Sequence, residues 1–251
     1  MGASLRSQPK RVAHPSRATG AKPIGRIRRL RRSELPDGTA ELARFLIGKV
    51  LVREDGGART SGRIVETEAY PVGDAAGHAF IGMTARNQSL FLAKGHAYIY
   101  FIYGNNYCLN VSCEPDGQAG GVLFRALEPL SGVEEMAQAR GLENPHPKNH
   151  GSKGLDLPNS DSINAGLSHK ALINLTSGPG RLSEAFSITR PRDNGCDLTS
   201  VASNLWLGDD GYRAQGIRAT PRIGITKAAD KPLRYFLDGN PFVSGRKSWS
   251  K

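Results

Sequence analysis

Residues 96–113 read "HAYIYFIYGNNYCLNVSC". Two runs rich in tyrosine, isoleucine, phenylalanine and valine flank Gly104-Asn105-Asn106, a short connection of residue types that tolerate positive φ. Aromatic and β-branched side chains favour extended backbone because they fit a pleated, half-buried surface. The stretch therefore predicts a β-hairpin, and a hairpin is an antiparallel pair. Read with period two, Tyr98 and Tyr100 share one face, while Tyr103 falls on the other, immediately before the turn. Half-buried strands commonly carry tyrosine, which accounts for Tyr98. A ring at a hairpin tip instead exposes apolar surface unless it inserts into something.

Upstream, "GRIVETEAY" (62–70) is also strand-like, and period two places Ile64, Glu66, Glu68 and Tyr70 on one face. A carboxylate is poor core material unless paired, so that face meets water or lines a site. Downstream, "EPDGQAGG" reads as a turn leading into the strand "VLFRALEPL" (122–130). Helices are predicted at "SELPDGTAELARFLIG", where Leu42, Phe45 and Leu46 have helical spacing and Gly48 is the stop. A further helix is predicted at "SGVEEMAQARG", with Ser131 as N-cap, Glu134 completing a capping box and Gly141 ending it. The Gly-Pro-Gly of "SGPGRLSEAFSI" (177–188) opens another, and "LWLGD", "RIGIT" and "PLRYFLDGNPFVS" are strand candidates. Strands interleaved with helices, without regular βαβ alternation, indicate an α+β fold in one domain. The glycine-punctuated segment 71–91 is a long loop, a common place for function.

The chain has 251 residues, 38% hydrophobic, with no apolar run near the ~20 residues that a membrane-spanning helix needs. Three cysteines without a CxxC pair argue against a disulfide scaffold or a thiolate zinc site. The six histidines show no metal-ligand spacing and no P-loop occurs, so neither a metal nor a small-molecule cofactor is expected. Net charge is +11, and residues 1–32 hold ten Lys and Arg with no acid; subtracting those ten leaves +1 for the rest. Residues 1–33 are therefore expected to be a disordered basic tail, 34–251 the folded domain, and 143–175 a polar surface insertion within it. Such a tail suits phosphate neutralisation, although a solvated terminus or a targeting leader has the same composition.

Two arrangements can carry chemistry. Glu66 and Glu68, roughly 6.5–7 Å apart along a strand, fall within the range of paired glycosidase carboxylates, yet both project from one strand rather than from two walls. Arg125, between Phe124 and Ala126, needs a carboxylate partner, and Glu68 is a candidate; a structural ion pair explains it equally well. Flat rings near a carboxylate in a basic protein suit a flat ligand, and nucleobases are the obvious class.

Taken together, "GRIVETEAY", His78, "TARNQSLF", "GHAYIYFIYGNNYCLNVS", "VLFRALEPLSGVE", "SGPGRL" and "KPLRYFLDGNPFVS" resemble the alkyladenine (3-methyladenine, methylpurine) DNA glycosylases over about residues 35–246. The resemblance implies a single mixed domain with a curved antiparallel sheet, a protruding hairpin and surrounding helices. It implies an enzyme that turns alkylated or deaminated purines, such as 3-methyladenine or hypoxanthine, out of double-stranded DNA and hydrolyses the N-glycosidic bond, as a metal-free monomer. By that resemblance Glu68 is the general base and Arg125 helps hold the attacking water, together with a strand carbonyl at Ile223. Tyr70, His78 and Tyr100 sandwich the base, Asn110 crowds a guanine amino group, Tyr103 wedges into the duplex and Arg86 meets phosphate. The expected location is the cytoplasm, with the nucleoid, for a bacterial protein, or the nucleus or an organelle for a eukaryotic one. Two other classes fit less of the chain: a lyase using Lys94 as nucleophile, and a non-catalytic module that senses DNA distortion.

Overall fold

The computed structural model describes residues 26–102, 104, 106–142 and 166–245. Tyr103, Asn105, residues 1–25 of the expected tail and residues 143–165 of the expected insertion lie outside them. The described strands are β1 (Arg28–Arg29), β2 (Val50–Asp55), β3 (Ala58–Tyr70), β4 (Ala97–Ile102), β5 (Asn106–Ser112), β6 (Gly121–Ser131), β7 (Leu205–Asp209), β8 (Ile217–Thr220) and β9 (Arg234–Leu237). They form one open sheet in the order β1-β7-β2-β3-β6-β5-β4, with β9 attached to β3 and β8 to β9. Every one of these pairings is antiparallel, as the hairpin predicts. Five α-helices accompany the sheet among the described residues, besides two short 3-10 turns: α1 (Thr39–Leu46), α2 (Val133–Ala139), α3 (His169–Leu175), α4 (Pro179–Ala185) and α5 (Arg190–Asp193). The fold is α+β.

The 13-residue β3 organises the molecule. Its first half pairs with β2, its second half with β9, and its other edge with β6 throughout. The β3–β6 ladder is irregular at the acidic positions. Ile64 faces Leu127 and Glu66 faces Ala126, which leaves Val65 unpaired; Thr67 then faces Phe124, which leaves Arg125 unpaired on the opposite strand. The two offsets cancel, so Glu68 meets Leu123 in the register that Ile64 began. Bulges of this kind bend a strand and re-aim side chains. Here they break strict alternation: Ile64 and Val65 both join the apolar core, whereas Glu66 and Glu68 both reach Arg125. Ile64 therefore does not share the acidic face that period two assigned to it.

Helix α1 covers this part of the sheet. Leu42, Ala43 and Leu46 are buried, and Thr67 Oγ1 donates to the Ala43 carbonyl at 2.9 Å. Burying a leucine side chain contributes about 1.5–3 kcal/mol, enough to fix the helix on the sheet without strong capping. Gly48, with φ +88°, ends the segment as expected.

Several expectations are corrected. The folded region begins before residue 33: β1 pairs with β7, Leu30 is buried, and Arg32 pairs with Asp197 at 2.6 Å. The end of the expected insertion is helix α3, capped by Ser168 and burying Leu172 and Leu175. Ser131 is the last residue of β6 and not an N-cap; Gly132, at φ 74°, caps α2 without any side-chain bond. "RIGIT" forms a bend after β8 rather than a strand, because Arg222 turns inward and Gly224 takes φ +76°. "IRAT", too short and polar to stand out, is the strand instead.

Candidate active site

Glu66 and Glu68 lie between β6 and β9, each fully buried. Glu66 is saturated. Its Oε1 accepts from Arg125 Nε (3.0 Å), Arg234 Nε (2.6 Å) and Ser244 Oγ (3.0 Å), and its Oε2 accepts from the Ser244 amide (2.7 Å). A buried carboxylate with four donors is a structural clamp, not a free base. It fixes Arg125, whose Nη1 lies 3.1 Å from Glu68 Oε2. Burial opposes the Arg125 charge, yet Glu68 and then Glu66 outweigh it and raise the guanidinium pKa.

Glu68 is held differently. The Ile223 amide donates to Oε1 at 2.7 Å, and the Tyr70 hydroxyl donates to Oε2 at 3.0 Å. Burial, and after it the Glu68 charge, raises the Tyr70 pKa, so that hydroxyl remains a donor. Three groups thus cover the Glu68 carboxylate, and all three (Tyr70, Arg125 and Ile223) border a cavity of about 580 Å³. Glu68 itself does not border it. The acid expected to face a slot stands one side chain behind the wall. Ile223 meets it through the backbone amide of a bend and not from a strand.

The remaining walls are aromatic. His78 and Tyr100 meet edge to face, centroids 4.4 Å apart, and Tyr98 lies stacked beside Tyr100 at 5.7 Å. His78 Nδ1 is 3.0 Å from the Tyr98 hydroxyl. Partial burial, helped by the Arg86 charge, lowers the His78 pKa, so the ring is neutral at neutral pH. Tyr70 borders the same cavity as His78, Tyr98 and Tyr100, and among the described residues it makes no ring contact with them. Asn110, nearly buried on β5, also lines it, its Nδ2 3.5 Å from the Tyr98 carbonyl.

The loop carrying His78 is pinned rather than loose. Asn87 Nδ2 donates to the carbonyls of His78 (2.9 Å) and Gly82 (3.0 Å), and its Oδ1 accepts from the Thr84 amide (2.7 Å). Arg190 holds the same loop through the carbonyls of Ala85 and Arg86. Arg86 is exposed at the rim, with its guanidinium 5.9 Å from the Tyr100 ring centre. Lys94 pairs with Asp37, donates to the Leu35 carbonyl, and does not border the cavity. Tyr103 lies outside the described residues.

The methylpurine-DNA glycosylase family model matches residues 34–241. The chain belongs to that family. A relative from Koribacter versatilis, named "Putative 3-methyladenine DNA glycosylase", is 53% identical over 207 residues, covering 82% of this chain and 88% of the relative. Relatives with the same printed name from Mesorhizobium japonicum and Methanoculleus marisnigri are 49% and 37% identical, covering 86% and 83% of this chain and 90% and 94% of their own lengths. In this member of the family the cavity and its backing also include positions that sequence reasoning did not select. Asp74 borders it, and Arg222 packs behind Tyr70 with its guanidinium 4.6 Å from the ring centre. The signal was present for Arg222: an arginine beside isoleucine in an apolar segment is the pattern that drew attention to Arg125.

Proposed function

We propose that this protein is a monofunctional DNA-repair glycosylase that takes a methylated or deaminated purine, such as 3-methyladenine or hypoxanthine, out of duplex DNA and hydrolyses its N-glycosidic bond. The observation that carries the reading is the aromatic-walled cavity of about 580 Å³, with Arg125 in its wall and Glu68, paired to that arginine, directly behind it. That volume is ordinary for a small-ligand site and leaves room for a water, which needs about 30 Å³.

Extruding a base costs a few kcal/mol, least where the base is damaged, and stacking on aromatic rings returns about 1–3 kcal/mol. The purine would lie between Tyr70 and the His78–Tyr100 pair. Its arrival displaces the Tyr70 hydroxyl from Glu68 and frees a carboxylate lone pair. Glu68 then accepts a proton from water as the water oxygen bonds to the sugar anomeric carbon, and the bond to the purine nitrogen breaks with its electron pair leaving on the base. Arg125, clamped by Glu66, keeps the carboxylate aimed at the water. A cationic alkylated purine leaves without further protonation, so one modest base is enough. Asn110 narrows the pocket, Arg86 meets the phosphate backbone, and Tyr103 would fill the vacated stack.

Single-turnover excision from lesion-containing duplexes tests this reading. Glu68→Gln should lower the rate by about 10²–10⁴-fold while lesion binding stays measurable. An unchanged rate would remove Glu68 from the mechanism.

A further inference from the structure

Arg222 is a buried charge that the proposed chemistry does not use. Its Nη2 lies 3.1 and 2.9 Å from the two Asp74 carboxylate oxygens, and its Nη1 donates to the Ala69 carbonyl at 2.9 Å. Nη2 also donates to the Ala228 carbonyl at 3.2 Å. Both side chains are sealed from water, at 0% and 1% exposure. The guanidinium lies over the Tyr70 ring, 4.6 Å from its centre, and Nε has no hydrogen-bond partner among the described residues. A buried donor left unpaired is a cost, which the bonds from Nη1 and Nη2 and the contact with the ring offset. Tyr70 borders the cavity and Arg222 does not, so the cation is on the far side of the ring from the space a base would occupy.

A cation on one face of an aromatic ring draws on the same negative π potential that another cation would meet on the opposite face. A base stacked on the cavity side would sit about 8 Å from the guanidinium. At an effective dielectric near 20, two unit charges at that distance change an equilibrium by on the order of tenfold or more. The repulsion falls on a cationic purine and largely spares a neutral one. Asp74 cancels it. The wider wall is balanced in the same way: Glu66, Glu68 and Asp74 face Arg125, Arg222 and Arg234.

We propose that Asp74 and Arg222 form a specificity pair: by neutralising the charge behind Tyr70, Asp74 preserves the pocket's acceptance of positively charged purines relative to neutral ones. The inference rests on the glycosylase reading above and assigns two specificity residues to it. Arg222 is needed to brace the ring and to tie the Ile223 bend to β3 through Ala69. Asp74 is what keeps that brace from repelling a cation.

The experiment compares, in a Glu68→Gln background that leaves the base attached, the affinity for duplexes carrying 7-methylguanine, cationic while attached to its sugar, with that for otherwise identical duplexes carrying hypoxanthine, which is neutral. Asp74→Asn should lower the cationic-to-neutral affinity ratio about tenfold. The double variant Arg222→Met with Asp74→Asn removes both charges and should return the ratio to within about threefold of the parent. Equal losses on both lesions in Asp74→Asn would reduce the pair to scaffolding and overturn the inference. If that variant does not fold, Arg222→Met decides instead: leaving Asp74 unopposed, it should raise the cationic-to-neutral ratio, and an unchanged ratio would overturn the inference. Loss of cation preference in the double variant would also overturn it, because Asp74 would then act directly on the base. Failure of the glycosylase reading shows elsewhere, as a parent protein that excises neither lesion.

Discussion

Glu66 and Glu68 have the same side chain two positions apart, and their surroundings separate them. Four donors hold Glu66, whereas one of the three groups around Glu68 is a hydroxyl on a ring that borders the cavity. The Tyr70 hydroxyl therefore masks the carboxylate, and the Tyr70 ring offers a stacking face. The two roles can be separated by substitution. Tyr70→Phe keeps the ring and unmasks Glu68, so its single-turnover excision rate at saturating protein should equal or exceed that of the parent. Tyr70→Leu loses a stacking surface worth about 1–3 kcal/mol and should bind a lesion duplex roughly 5- to 150-fold more weakly. If Tyr70→Phe loses as much as Tyr70→Leu, the hydroxyl has a direct part in the chemistry. Glu68 and Arg125 were legible in the sequence because a charge inside an apolar strand calls for a partner. Arg222 escaped because "RIGIT" alternates like a strand, and the fold uses that arginine to close a bend.

At the scale of elements, the hairpin, β3, β6 and the helix opened by Gly-Pro-Gly all form where periodicity and turn chemistry put them. What periodicity could not supply was the pair of cancelling bulges at Val65 and Arg125, since a bulge leaves no local mark in the chain and depends on the partner strand. The start of α2 was misread for a related reason. A Ser three residues before a Glu satisfies the capping-box pattern, but Ser131 is engaged in β6 and by Ser61 Oγ at 2.7 Å. Gly132 makes the turn, and a Cβ there would lie 2.8 Å from the Thr60 Cα. Gly132→Ala meets both positive φ and backbone contact and should cost about 2–3 kcal/mol. Ser131→Ala removes one hydroxyl bond and should cost about 1 kcal/mol. Thermal unfolding of the two variants checks the order, and a larger loss for Ser131→Ala would restore the serine as the cap.

The whole molecule divides its positive charge between two uses. Arg28, Arg29 and Arg32 serve the fold: Arg28 pairs with Glu34 and Asp209, Arg29 stacks over Trp206, and Arg32 pairs with Asp197. The five Lys and Arg of residues 1–25 lie beyond the described fold. Composition alone treated both groups as one tail, because an arginine committed to an acid and a solvated arginine look alike in a count. Their truncations should differ. Removing residues 1–25 should leave the melting temperature and the chemical step unchanged while flattening the salt dependence of DNA binding, by up to about 4 in log–log slope. Removing residues 1–33 should also lower the melting temperature, since β1 and the buried Leu30 go with it. Equal melting temperatures for the two truncations would put the fold's edge back near residue 33.

The double pairing of β3 bears on how such a protein can change over evolutionary time. Where Glu66 and Glu68 sit, the strand has a neighbour on each side, so local opening there must break two ladders at once. Parts of the cavity lining come from separate connecting segments, among them the His78 loop, residues 177–181 leading into α4, and the Ile223 bend. Under the proposed function, inherited changes in those segments would widen or narrow the range of tolerated damage while the acid beneath stays anchored. Descent with altered appetite then requires only new edges on an old foundation.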